Sequence, residues 1–183
     1  MFHSTPLCSS ACPLVLTLAL VMVCTSTPAT AQSCPLDWLP QLGANSVVWG
    51  MTAFDDGQGG GPALHIAGDF TDVGGRVARW DGASWSGLSG GVAGGALPDA
   101  FGDVMTTFDD GLGGGSALYL GGSFSTAGGV PAKNIARWDG SSWSALGAGL
   151  GAYMLDFAVF DDGGGPALHA GGTFTTAGGA SAN

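Results

Sequence analysis

The 183-residue sequence contains no glutamate, and its 14 acidic residues are all aspartate. Lysine and arginine together number only 4, which leaves a formal net charge of −10 at pH 7. So few cations cannot neutralise a phosphate backbone, and the composition therefore excludes a nucleic-acid-binding protein. Long amphipathic helices are excluded as well, because good helix formers such as Glu and Lys are nearly absent and the 35 Gly residues form helices poorly.

The sequence also lacks an apolar run of the roughly 20 residues that cross a bilayer. The run from Pro13 to Cys24 is shorter and is typical of the central region of an export signal. Small side chains at Ala29 and Ala31 then form an A-x-A cleavage site, although the first eleven residues carry no Lys or Arg. We predict a signal peptide over 1–31 and a linker over 32–46. The protein is then secreted, to the extracellular space or the periplasm, with no membrane span in the mature chain.

Cysteine is scarce beyond the predicted cleavage site. Three of the 4 Cys residues lie within the signal, so only Cys34 remains. The mature chain can therefore form no internal disulfide, and Cys34 is a lone exported thiol to which the sequence assigns no role.

What the sequence has in abundance is a repeated pattern with a period of about 50 residues. Phe-Asp-Asp-Gly occurs at 54–57, 108–111 and 160–163. Gly-x-Phe-[Ser/Thr] occurs at 68–71, 122–125 and 172–175. Ala-Arg-Trp-Asp-Gly occurs at 78–82 and 136–140, each time followed by Ser-Trp-Ser. The order of the motifs is constant, and we place the repeats at about 47–97, 103–150 and 154–183, the third being truncated.

Each complete repeat divides into four short strands. In the second repeat we predict the last two strands at 135–138 and 143–146, joined by a loop that contains Asp139-Gly140, which is a strong hairpin signal. Trp138 then faces Trp143, and Trp80 faces Trp85. In the third repeat we predict the first two strands at 155–160 and 167–175. Four-stranded antiparallel meanders of about 50 residues are the blades of a β-propeller, so the sequence predicts an all-β fold.

The repeat resembles known propeller repeats in the order of its motifs. In the second repeat an aliphatic strand ends in Gly121-Gly122, an aromatic strand carries Trp138, and a further Trp follows at 143. This order resembles the kelch and galactose-oxidase-type repeats. The whole unit, with Ile-Ala-Arg-Trp-Asp-Gly, is more similar to repeats of bacterial secreted propellers and of fungal cortical cell-polarity markers. It departs from kelch in using Trp where Tyr is usual and in the Phe-Asp-Asp-Gly loop. The resemblance covers about 47–183 and implies a fold far more than a function.

The number of repeats falls short of a closed propeller, which typically needs about 4–8 blades. We therefore expect an incomplete ring, and this sequence to be the N-terminal fragment of a longer protein. The alternative is a small oligomeric assembly of short chains.

The paired aspartates are candidate metal ligands. Ca²⁺ prefers oxygen ligands on a turning loop, and integrin-type propellers carry Asp-rich Ca²⁺ loops. Here no further acidic residue follows within each loop, and two adjacent carboxylates supply too few ligands. We expect these residues to cap turns and the protein to hold no metal or other cofactor, with weak Ca²⁺ binding as the alternative. The candidates are Asp55, Asp56, Asp109, Asp110, Asp161 and Asp162.

The remaining aromatic and imidazole residues occupy repeat positions. His65, Tyr119 and His169 share one position, which predicts a semi-exposed aromatic slot on a strand, with metal ligation as the alternative. The hairpin Trp residues recur at fixed positions, which favours packing between blades over stacking on sugars. A copper-radical centre would need Tyr, Cys and His ligands, and apart from the repeat-bound His residues the mature chain offers only Tyr119, Tyr153 and Cys34.

These observations favour a non-catalytic function. We expect an exported scaffold or binding surface for protein or carbohydrate. The alternative is the N-terminal part of a secreted propeller enzyme whose catalytic residues lie outside this chain. Enzyme sites break a repeat, and the breaks here are the insertion at 97–102 and the stretch 130–135 with Lys133, neither of which clusters acids, bases or metal ligands.

Overall fold

The computed structural model describes residues 47–95, 101–111 and 113–182. In these ranges the chain is all-β, with antiparallel sheets and no helix, so the predicted fold class is confirmed at this level. Across the same ranges no helix has the length and apolar character needed to cross a membrane. Cys34 and Trp38 lie outside the described residues, as do the whole of the predicted signal peptide and the whole of the predicted linker.

The strands are short and are numbered in chain order. They are β1 Val48–Phe54, β2 Ala63–Gly68, β3 Val77–Trp80, β4 Trp85–Gly87, β5 Val92–Ala93, β6 Phe101–Phe108, β7 Ala117–Ser123, β8 Thr126–Ala127, β9 Val130–Pro131, β10 Ile135–Trp138, β11 Trp143–Ala145, β12 Met154–Asp161, β13 Pro166–Gly172, β14 Thr176–Ala177 and β15 Ala180–Ser181.

The first two repeats each form one four-stranded antiparallel sheet. The order is β1-β2-β3-β4 in the first repeat and β6-β7-β10-β11 in the second. The predicted hairpins are confirmed, because Trp80 is the register partner of Trp85 and Trp138 that of Trp143. In the third repeat β12 pairs with β13 alone among the described residues. Strand β13 ends three residues before the predicted boundary, because residues 173–175 lead into a separate small hairpin.

A β-bulge lies at the same place in every repeat. The register of the first strand shifts between Val48 and Gly50, between Gly102 and Val104, and between Met154 and Asp156. A bulge bends its strand and increases the local twist. The repeats therefore share a local distortion as well as a strand order, which makes equivalent positions directly comparable.

Small hairpins connect each repeat to the one before it. Strand β8 pairs with β9 through a two-residue turn at Gly128-Gly129, where both residues have positive φ (55° and 79°) as such a turn requires. Strand β8 also pairs with β5 from the end of the first repeat. The third repeat has the same arrangement, because Leu150 bridges Ala177 in β14.

The core is concentrated at the junctions between repeats. One cluster combines Phe54, Val77 and Leu88 of the first repeat with Leu120 and Trp143, among others, of the second. A further cluster joins Ile135 and Leu150 to Met154, and Phe157 and Phe174 pack against it. A third cluster, of Ile66, Phe70 and Ala78, lies within the first repeat, so the core is shared between the junctions and the interior of that repeat.

Candidate functional site

The aspartate pairs sit in loops where each first carboxylate binds the backbone of its own turn. Asp55 accepts a hydrogen bond from the Gly57 amide at 3.0 Å. In the other two repeats the Gly111 amide donates to Asp109 at 2.9 Å, and the Gly163 amide donates to the first Asp of its loop at 2.8 Å. These are turns in which an Asp side chain binds the amide two residues on. The carboxylates are thus used locally, in agreement with the expected turn-capping role.

The second aspartate of the first pair makes a further contact that the sequence analysis did not identify. Asp56 Oδ2 lies 3.1 Å from Arg79 Nε, and both side chains are largely buried. Arg79 belongs to the Ala-Arg-Trp-Asp-Gly motif, so the ion pair joins two motifs of one repeat. In the described part of the chain, no three His, Cys, Asp or Glu residues come together as a metal site would need.

The shared position of His65, Tyr119 and His169 is an edge-to-face aromatic slot. Each ring meets the Phe of the Phe-Asp-Asp-Gly motif, with centroids 5.5, 6.2 and 6.1 Å apart in the three repeats. The expectation of semi-exposure is wrong for His65 and Tyr119, which are buried, whereas His169 is exposed. Near the first of these positions the two repeats are in close contact, because the loop at Gly140 of the second repeat approaches the Asp56 backbone of the first.

His65 is a buried imidazole with little polar compensation. Its Nδ1 lies 3.1 Å from the Ala63 carbonyl, and Nε2 has no hydrogen-bond partner within the described structure. Burial lowers the pKa of His65 below its ordinary value, against the opposing effect of the Ala63 hydrogen bond. The folded protein therefore favours the neutral form of the His65 imidazole.

The hairpin loops that follow Trp80 and Trp138 are each organised by one carboxylate. Asp139 accepts hydrogen bonds from the Ser141 and Ser142 amides, both at 2.8 Å, and these bonds hold the pKa of Asp139 well below its usual range. The amides of Ala83 and Ser84 donate to Asp81 in the same way. These two aspartates are structural parts of the hairpin.

The two tryptophans of each pair contact each other, and the second pair also contacts the first repeat. The ring centroids are 5.2 Å apart in the Trp80–Trp85 pair and in the Trp138–Trp143 pair. Only the second pair is buried, and the Trp143 indole N–H donates to the Leu88 carbonyl of the first repeat at 2.9 Å. The second pair thus packs between repeats. Trp49 lies on β1 and is exposed.

A cavity of about 530 Å³ brings residues of the repeated Gly-x-Phe-[Ser/Thr] motif together with Lys133 and Asn134 of the irregular stretch 130–135. It lies where the second repeat meets the start of the third, and its volume is within the range of small-molecule sites. Lys133 and Tyr153 are exposed, whereas Ser123, Phe124 and Asn134 are buried. The cavity is therefore lined by a lysine and a tyrosine that are exposed, and by a buried aromatic ring and two buried polar side chains. Its lining residues are Gly95, Ser123, Phe124, Ser125, Lys133, Asn134, Gly151, Ala152 and Tyr153.

Asn134 fixes the wall of this cavity. It is a non-glycine residue with positive φ (63°), and its side chain accepts from the Phe124 amide at 3.3 Å and donates to the Leu150 carbonyl at 3.0 Å. The equivalent residue of the first repeat is Arg76, which also has positive φ (73°). Asn134 thereby links the turn after β7 to Leu150 at the end of the second repeat.

The sequence identifies the stretch 130–135 as a break in the repeat, but it does not indicate that residues of this stretch form a site with residues elsewhere in the chain. The structure brings its Lys133 and Asn134 to Tyr153, about twenty residues further along the chain. The signal that could have found this site is the insertion itself, because extra residues ahead of Asn134 form β9 and place Lys133 at the junction.

Comparison with known proteins leaves the site to be interpreted from its own chemistry. The chain matches no protein-family model, and neither a curated protein nor a solved structure is significantly similar to it.

Proposed function

We propose that residues 47–182 are β-propeller blades and that the protein is an exported, non-catalytic binding scaffold. The propeller arrangement is supported by the first strands, since β1 contacts β6 and β6 contacts β12. Successive innermost strands line a common axis in propellers. The repeated bulge and the pairing of each repeat's tail with the next small hairpin support it further.

The observation that carries the binding role is the cavity at the broken repeat. A scaffold built from identical junctions would have the same residues at each junction. Lys133 and Tyr153 instead have no equivalents among the polar residues of the first junction. A phenol ring that can lie against a sugar face, with an ammonium and the Ser125 hydroxyl beside it, suits a carbohydrate unit better than a flat protein surface.

A glycan array with the purified protein tests this function. We expect wild-type protein to bind a restricted set of sugars, and Tyr153→Ala and Lys133→Ala each to weaken that binding at least tenfold. Trp49→Ala is the matched control, because Trp49 is an exposed aromatic residue outside the cavity. If wild-type protein binds no sugar, the carbohydrate role is wrong. If both cavity variants bind as wild type does, the site lies elsewhere.

Export is tested separately from binding. We expect the protein recovered outside the cytoplasm to begin at Gln32, as Ala29-Thr30-Ala31 predicts. An intact N-terminus at Met1 on the exported protein would contradict the proposed signal peptide. N-terminal sequencing or intact mass spectrometry gives the answer.

A further inference from the structure

The cavity at the end of the second repeat differs in charge from the equivalent place in the first repeat. The variable position of the Gly-x-Phe-[Ser/Thr] motif is Asp69 in the first repeat and Ser123 in the second. Asp69 pairs with Arg76, whose Nε lies 3.8 Å from Asp69 Oδ1. The equivalent of Arg76 is Asn134, because the carbonyl of each accepts the amide of the motif's first glycine. Two neutral side chains therefore replace an ion pair.

The same part of the second repeat gains a cation. Lys133 is the sole lysine of the sequence, and its equivalent in the first repeat is Gly75. The backbone is alike at both places, because the Gly75 carbonyl accepts the Val92 amide at 2.9 Å. The Lys133 carbonyl accepts the Leu150 amide at 3.0 Å in the same way. The Lys133 side chain is exposed and makes no ion pair with any described residue. The formal charge of these positions thus changes from 0 in the first repeat, with one Asp and one Arg, to +1 in the second, with Lys alone.

Two hydroxyl groups of the cavity lining have hydrogen-bonding capacity that the described residues do not use. Ser123 is 1 % exposed, and its hydroxyl makes no hydrogen bond with the described residues. The Tyr153 hydroxyl likewise has no partner among them. A buried hydroxyl without a partner is unfavourable, and a ligand in the cavity supplies the missing hydrogen bond. The Asn134 side chain is instead already engaged with Phe124 and Leu150. The lining residues therefore offer a ligand one cation and two hydroxyl groups.

We infer that the ligand of this cavity is an anionic sugar, whose carboxylate or sulfate group binds Lys133 while its hydroxyls bind Ser123 and Tyr153. This inference rests on the proposed carbohydrate-binding function and adds the charge of the ligand to it. The whole chain has a formal net charge of −10, which disfavours the approach of an anion to most of its surface. The loss of an aspartate and the gain of a lysine act in the opposite direction, and both changes lie in the lining of the cavity. Charge complementarity of this kind decides which ligands a site accepts.

Matched pairs of acidic and neutral sugars test the inference. A glycan array of such pairs includes oligogalacturonides with their methyl esters for the carboxylate, and sulfated with unsulfated galactans for the sulfate. In every pair that wild-type protein binds, we expect the acidic member to bind about tenfold more tightly, because charge-assisted hydrogen bonds are stronger than neutral ones. Equal binding of the acidic and neutral members would overturn the inference and leave the proposed function intact. Absence of binding to every sugar on the array would overturn both.

Lys133→Met tests the group that carries the preference, and Lys133→Arg is its matched control. We expect Lys133→Met to bind acidic and neutral members within about twofold of each other, and Lys133→Arg to keep the wild-type preference. Adding Gln58→Lys to Lys133→Met restores the net charge in an exposed loop outside the cavity, and the preference should stay lost. Ser123→Asp restores the acid of the first repeat and should weaken the binding of acidic sugars more than that of neutral ones. Far-UV circular dichroism of every variant verifies that the fold is retained. A Lys133→Met variant that keeps the preference, or a double variant that regains it, would overturn the inference.

Discussion

The hydrogen bond from Trp143 to Leu88 should make a measurable contribution to the coupling of the first two repeats. Substitution Trp143→Phe removes the indole N–H, and the Leu88 carbonyl then keeps only the hydrogen bond from the Gly91 amide. The net contribution of one such hydrogen bond is about 0.5–1.5 kcal/mol. The smaller ring also leaves space, so the total loss exceeds that of the hydrogen bond alone.

Trp138→Phe is a matched control for this loss. Trp138 is in the same ring pair and is 6 % exposed against 5 % for Trp143, yet its indole N–H makes no hydrogen bond within the described residues. The two substitutions remove the same atoms from similarly buried positions. We therefore expect Trp143→Phe to be the more destabilising variant, by about 0.5–1.5 kcal/mol in the free energy of unfolding.

Urea denaturation followed by far-UV circular dichroism measures both variants. The comparison requires equal m values, because a changed m would mean that the repeats no longer unfold together. Equal destabilisation by the two variants would refute the reasoning, since packing alone would then explain the effect. Greater destabilisation by Trp138→Phe would refute it more strongly.

Four further predictions concern three single positions and the aspartate loops. Asn134→Ala should lower the free energy of unfolding by about 2 kcal/mol or more, because it removes two buried side-chain hydrogen bonds. Asn134→Gly should also destabilise the protein, although Gly accepts a positive φ. A stable Asn134→Gly variant would instead show that the backbone conformation is what Asn134 provides. Because the pKa of His65 is lowered in the folded state, the unfolded chain binds more protons than the folded chain below pH 6.5, and stability should fall as the pH decreases from 6.5. In urea titrations at several pH values, His65→Phe should reduce this pH dependence and His169→Phe should not. The lowered pKa of Asp139 gives stability that is present above the ordinary Asp pKa and is lost in acid, so Asp139→Asn should be less stable than wild type at pH 7 and should converge with it as the pH falls. Chelator should leave the melting temperature nearly unchanged, because the Asp loops bind their own amides; a large decrease would establish a Ca²⁺ site.

The strand plan could be predicted from sequence because its signals are local. Asp139-Gly140 between apolar runs fixed the hairpin, and the register pair of Trp138 and Trp143 follows from the length of that loop. Because the same motifs recur in the first repeat, the same strands could be predicted there. Boundaries were less accurate in the third repeat, where β13 ends at Gly172, since a Gly-rich strand end has no side-chain signal that separates strand from turn.

The candidate site could not be predicted, because its parts come together only through junction geometry. Nothing near Asn134 in the sequence indicates that its side chain binds the Leu150 carbonyl of the following connection. The small hairpins β8–β9 and β14–β15 were also missed. Each consists of two-residue strands around a Gly-Gly turn, which is too short to produce an alternating apolar pattern.

The three equivalents of Phe54 separate what a repeat determines by itself from what its neighbour determines. All three pair edge to face with the residue at the shared slot, so the aromatic contact belongs to the single repeat. Exposure instead rises from the first to the third repeat, from buried Phe54 through half-buried Phe108 to exposed Phe160. Since stability in such arrays comes largely from nearest-neighbour interfaces, the same substitution should cost more at Phe54 than at Phe160. The packing of Phe54 is therefore a property of the junction between the first two repeats, and the edge-to-face contact is a property of the single repeat.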